Sequence, residues 1–79
     1  MGRYFFHLHD DLDCQDEEGI ELASIEDARS CAVSFIRDVA AASLAAGHLD
    51  LEHYIAVADE TGSELVRVRF GDAIHVHHG

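Results

Sequence analysis

The chain has 79 residues, with sixteen Asp or Glu against five arginines and no lysine, and a formal net charge of −11. That length holds one domain around one core. The charge disfavours nucleic-acid backbones and anionic membrane surfaces, both of which are bound mainly through Lys and Arg, so neither is an expected partner.

Hydrophobic content of 48% is that of a folded domain rather than a disordered acidic tail. The excess of acid favours a basic protein partner or a cation. Two cysteines, Cys14 and Cys31, are too few for a secreted disulfide scaffold. Met1 to Asp11 contains no long apolar run, and no later stretch approaches the length of a membrane span. Met1-Gly2 begins like a myristoylation signal, but Phe6 stands where Ser or Thr is needed. The expected location is the cytoplasm. A domain of this size buries only about 60% of the surface of its unfolded chain, so its stability is modest and a homodimer is expected on that ground.

Residues 3–9 read as a strand, rich in aromatics and followed by an acidic loop. Alternation puts Tyr4, Phe6 and Leu8 on one face and Phe5, His7 and His9 on the other. The loop 10–19 is too polar to pack. After Gly19, Ile20-Glu21-Leu22 forms a short second strand that joins the first as a hairpin.

Ser24 is a helix N-cap with Asp27 three residues on, and Glu26 and Asp27 suit the positive end of the helix dipole. Residues 25–46 lack glycine and proline. Ile25, Ala28, Cys31, Ala32, Phe35, Ile36, Val39, Ala42 and Ala46 make one apolar stripe, with Val33 and Leu44 off it. Gly47 is the expected stop. Residues 53–58 make a third strand, Asp59 to Gly62 a turn, and residues 64–70 a fourth strand. On that strand Val66, Val68 and Phe70 face one way and Leu65, Arg67 and Arg69 the other. The tail 71–79 is His-rich and expected to be partly frayed.

The predicted fold is α+β: a ββαββ unit with a four-stranded antiparallel sheet and one helix packed on one face, over a single domain 1–79. Strand order is not readable. With the first and fourth strands as neighbours, the uncovered face carries Phe5, His7, His9, Leu65, Arg67 and Arg69. Such a face is too polar for a core and too apolar for bare solvent, which marks it as an interaction surface. Phe5 beside Arg67 and Arg69 also resembles a base-stacking platform, a reading the net charge opposes.

His7 and His9, two apart on a strand, project from the same face and are candidate ligands for a transition metal such as zinc. His75, His77, His78, Cys14, His48 and His53 are the available additions, although no spacing matches a zinc motif. The acids Asp10, Asp11, Asp13, Asp16, Glu17 and Glu18 lack the calcium-loop pattern and read as a solvated run. Cys31 reads as a core residue and Cys14 as an exposed thiol among acids. No nucleophile or phosphate-loop motif is present, so no catalytic residues are assigned and the protein is not expected to be an enzyme. A carboxylate–histidine enzyme would need a concave pocket beside His7.

The run Arg3-Tyr4-Phe5-Phe6-His7-Leu8 with Asp10 carries a resemblance to a known family. So do Asp16, Glu18-Gly19, Glu21-Leu22, Ala28-Arg29, Ala32, Val57, Asp59-Glu60, Gly62, Phe70 and Asp72-Ala73. Together they resemble a family of short alphaproteobacterial proteins, a domain of unknown function, across nearly the whole chain. The resemblance singles out His7 and implies no activity. A looser likeness is to antitoxins of the HicB type, which place a strand pair and a glycine before an alanine-rich helix. The proline motif and DNA-binding segment of those antitoxins are missing here. The leading expectation is a non-enzymatic interaction module that self-associates through a sheet edge or its open face. The alternatives are a metal-binding protein using His7 and His9, and an antitoxin-like partner-binding domain.

Overall fold

The computed structural model describes residues 2–10 and 13–74. Its elements are β1 (Gly2–His9), β2 (Asp13–Cys14), β3 (Ile20–Leu22), α1 (Ile25–Ala45), β4 (Tyr54–Ala58), β5 (Glu64–Arg69) and α2 (Phe70–Ala73). All strand pairs are antiparallel. The fold is α+β with one long helix, and the sheet has five strands rather than the expected four. The extra one is β2, cut from the acidic loop, which pairs with the end of β1 through Leu8↔Cys14 and His9↔Asp13. A polar loop packs here because it makes backbone bonds, which carry no hydrophobic requirement.

The sheet order is β2-β1-β4-β5, with β3 also paired to β1. The first and last long strands are therefore not neighbours; β4 runs between them. Phe5↔Ala58, His7↔Ala56 and His9↔Tyr54 fix β4 against β1, and Tyr54↔Arg69 and Ala56↔Arg67 fix β5 against β4. A bulge between Val57 and Ala58 shifts the register so that Glu64 lies opposite Ala58.

Helix α1 begins where the capping pattern put it. Ser24 has extended backbone, and its hydroxyl accepts the Asp27 N–H at 3.2 Å. Past the end, Gly47 adopts φ +99° and donates to the Leu44 carbonyl. The face against the sheet is narrower than the predicted stripe. Ala28, Ala32, Ile36 and Ala40 are buried, a line of every fourth residue. Small side chains on that line let the helix lie close to β4 and β5. Val33, expected off the stripe, packs against the core, whereas Phe35, Ala42 and Ala46 are exposed. Leu44 is exposed, as expected.

The core on the helix side joins Phe6, Ile55, Val57, Val68 and Phe70 to the helix line, with Tyr4, Leu8 and Val66 packed at its margin. Phe70, Ile36, Val57 and Val68 are its largest fully buried side chains, each worth about 1.5–3 kcal/mol of transfer free energy. Phe70 opens α2 instead of closing the last strand. Its N–H donates to the His53 carbonyl at 2.7 Å, and the Asp72 carboxylate accepts the Arg69 N–H at 3.4 Å, turning the chain into a helical turn. Residues 71–73 of the tail are thereby ordered; His75, His77 and His78 lie outside the described residues. Among the described residues no helix is long and apolar enough to cross a membrane.

Candidate interaction face

Alternation along three adjacent strands builds the face of the sheet opposite α1. Phe5, His7 and His9 come from β1, and Leu65, Arg67 and Arg69 from β5. The six expected residues share one face, but in two separate rows. Between them run Tyr54, Ala56 and Ala58 of β4. Ala56 and Ala58 are buried yet do not belong to the helix-side core, so their methyl groups lie beneath their larger neighbours.

Tyr54, the first residue of β4, is the side chain of this face that sequence reading missed. From the β1 side, the His9 ring stacks on it with centroids 4.6 Å apart. From the β5 side, the Arg67 guanidinium carbon lies 4.1 Å from the ring centroid. Cation–π attraction holds such an arginine over a ring. The same guanidinium bonds both Glu64 oxygens, at 3.1 and 3.2 Å, and these bonds raise its pKa further. Alternation within residues 53–58, which sets Tyr54 opposite to the buried Ile55 and Val57, was the available signal.

Four acids beside this face stand against a basic residue. Asp13 lies 3.0 Å from His9 Nδ1, Glu64 holds Arg67, Asp72 lies 3.5 Å from Arg69 Nε, and Glu21 stands opposite Arg3. The face is thus apolar towards both ends, with Phe5 and Leu65 near Ala58 at one and Tyr54 between His9 and Arg69 at the other, while His7 and Arg67 flank Ala56 between them.

His7 and His9 both project from this face, and each already has a partner at Nδ1. The Asp16 N–H donates to His7 Nδ1 at 3.1 Å, which requires a lone pair there and places the proton of the neutral ring on Nε2. Among the described residues no group of three or more His, Cys, Asp or Glu side chains assembles around a common point. Cys14 is exposed and Cys31 is half-buried against the core.

Asp16 does more than sit in a solvated run. Where β2 has left β1 and β3 has not yet joined it, its Oδ2 accepts the Phe6 N–H at 3.2 Å. Its Oδ1 accepts the N–H groups of Glu18 and Gly19, both at 3.1 Å. The side chain thus stands in for a missing strand, while its own N–H goes to His7. Partial burial pushes the carboxyl up; the amides of Gly19, Phe6 and Glu18 together outweigh it and leave the pKa below the ordinary 3.8. His7 lowers it too when the ring is charged, but a ring accepting at Nδ1 is neutral, so the amides carry the effect. The residues of the opening motif and the Asp16…Glu18-Gly19 segment therefore meet in one backbone clasp, and its signature histidine is an acceptor for backbone.

A small antiparallel sheet with one helix across one face and a mixed aromatic and charged face on the other defines a class of α+β domain. Within that class the chain belongs to the family described as a domain of unknown function, DUF6894, whose model matches residues 3–71. No curated protein and no solved structure gives a match.

Proposed function

We propose that this protein is a non-enzymatic interaction module that pairs with a second copy of itself through the sheet face opposite α1. The observation that carries the reading is the charge arrangement of that face. A chain of net charge −11 repels its own copies over most of its surface. On this face Asp13, Glu64 and Asp72 lie against His9, Arg67 and Arg69, among the apolar side chains of Phe5, Tyr54 and Leu65. Aromatic side chains and arginine, both present on this face, are enriched at protein contacts.

The face is favoured over the free edge of the sheet. Phe70 donating inward to His53 makes every second residue of β5 an inward bonder, so the backbone groups of Arg67 and Arg69 point to the free edge. Two copies paired along that edge would bring these arginines together, and charged edge strands are a common device against such pairing.

Sedimentation equilibrium over a concentration series tests the proposal. The expected result is a monomer–dimer equilibrium that Leu65→Asp abolishes while the far-ultraviolet circular dichroism stays the same. A strict monomer at every concentration would sink it, as would a dimer indifferent to Leu65→Asp and to Tyr54→Ala.

A further inference from the structure

The helix does not cover the whole of its own side of the sheet. It crosses β4 and β5 and leaves a cleft of about 470 Å3 between itself, β1 and the chain entering β3. The floor is Phe6, Leu8 and Ile55. One wall is Phe35 and Val39 of the helix, and the other is Ile20 at the start of β3. Phe35 and Ile20 are 37% and 36% exposed, large apolar side chains bordering an open apolar floor. Phe35 keeps its place by standing edge-on to Phe6, with ring centroids 5.4 Å apart. His7 does not line this cleft.

The rim is acidic on both sides. Asp16 and Glu18 stand on the loop wall and Asp38 on the helix wall, and no arginine or histidine is among the lining residues. Unlike the acids of the opposite face, these three form no salt bridge among the described residues. Asp16 is anchored by the amides of Phe6, Glu18 and Gly19, so this wall is rigid rather than a swinging side chain.

We propose that the cleft is a docking site for a segment of a basic partner protein, one that inserts a large apolar side chain and presents arginine or lysine on either side of it. The apolar floor supplies burial for the inserted side chain, and the opposed acids select cations at the rim. A second copy of this chain is a poor occupant, because it would bring further acid to a rim of acids. This site is independent of the self-pairing face, since the two lie on opposite sides of the sheet.

The test uses three labelled hexapeptides and fluorescence anisotropy. The first is Arg-Lys-Leu-Phe-Arg-Lys, the second has Glu at the four flanking positions, and the third keeps the cations but has Ala-Ala at the centre. Only the first is expected to bind, more weakly as salt rises. Asp38→Arg, an exposed position, is expected to weaken it about tenfold or more, and amide NMR shifts on adding the peptide should map to Gly19, Ile20, Phe35 and Val39. Leu65→Asp should leave binding unchanged, which separates this result from the oligomer experiment. The proposal is overturned if the first peptide fails to bind at millimolar concentration, if the acidic or Ala-centred peptide binds as well, or if the shifts map to the Tyr54 face.

Discussion

Gly19 lies at the turn into β3 with φ +72°, and a Cβ there would meet Arg3 Cγ at 2.8 Å and the Tyr4 carbonyl oxygen at 3.0 Å. The backbone conformation alone costs an L-residue about 1–2 kcal/mol, and the Tyr4 carbonyl cannot step aside without disturbing the β1–β3 ladder. Gly19→Ala is therefore expected to destabilise the protein by about 2 kcal/mol or more in urea unfolding. The neighbouring Asp16 makes a pH prediction. A carboxyl whose folded pKa lies below its unfolded one contributes stability above the unfolded value, and that stability is lost as pH falls through the folded value. Asp16→Asn should thus cost about 1–3 kcal/mol near neutrality. The gap from wild type should close as pH drops below the ordinary 3.8, in urea melts at stepped pH. His7 can be tested by shape. Asn places an oxygen near Nδ1, so His7→Asn should keep the Asp16 N–H satisfied, while His7→Ala should lose about 1 kcal/mol. Equal losses in both variants would show that the ring packs rather than accepts.

Helix α1 binds the sheet through Ala28, Ala32, Ile36 and Ala40, so its distance from β4 is set by methyl groups. Ala32 is fully buried, and Ala32→Leu is expected to cost about 1–3 kcal/mol by overpacking, read as a lower melting temperature. Ser24→Ala should remove the cap bond to the Asp27 N–H and cost about 1 kcal/mol. Exposed Leu44 is the control: Leu44→Ala should change stability by no more than about 0.5 kcal/mol. The helix was legible because its period of 3.6 and its cap are local features. The width of its buried face was not, because Val33 and Phe35 exchange roles according to where the helix axis lies on the twisted sheet. Likewise β2 and the Asp16 clasp rest on backbone bonds to β1, which leave no apolar pattern to read.

With sixteen acids and five arginines, the folded chain carries strong self-repulsion. Melting temperature should therefore rise as salt increases from about 0.02 to 0.5 M, measured by calorimetry. The two proposed contacts respond to salt with opposite signs. Pairing of two acidic copies through a charge-matched face should strengthen as salt screens the surplus acid, whereas capture of a basic segment in the acidic cleft should weaken. Asp59 adds a dependence on acid: the Thr61 hydroxyl, with the amides of Ser63, Thr61 and Gly62, holds its carboxyl below the ordinary value against an opposing desolvation. Its share of stability is present above the unfolded value and lost as pH falls through the lower folded one.

Alternation of side chains along β1 and β5 and the capped helix between Ser24 and Gly47 already determined which residues share a face, since those properties depend on neighbours a few positions away. Hence Phe5, His7 and His9 could be set on one face of the first strand, and Leu65, Arg67 and Arg69 on one face of the last, before any strand was paired. Long-range pairing alone decided that β4 comes between their two rows and that Tyr54 stands between His9 and Arg69. It also decided that Asp16 bonds the backbone of β1, and that the helix leaves a cleft beside Phe35. Those outcomes depend on which distant segments meet, and contact between distant segments is a property of packing that no local pattern encodes.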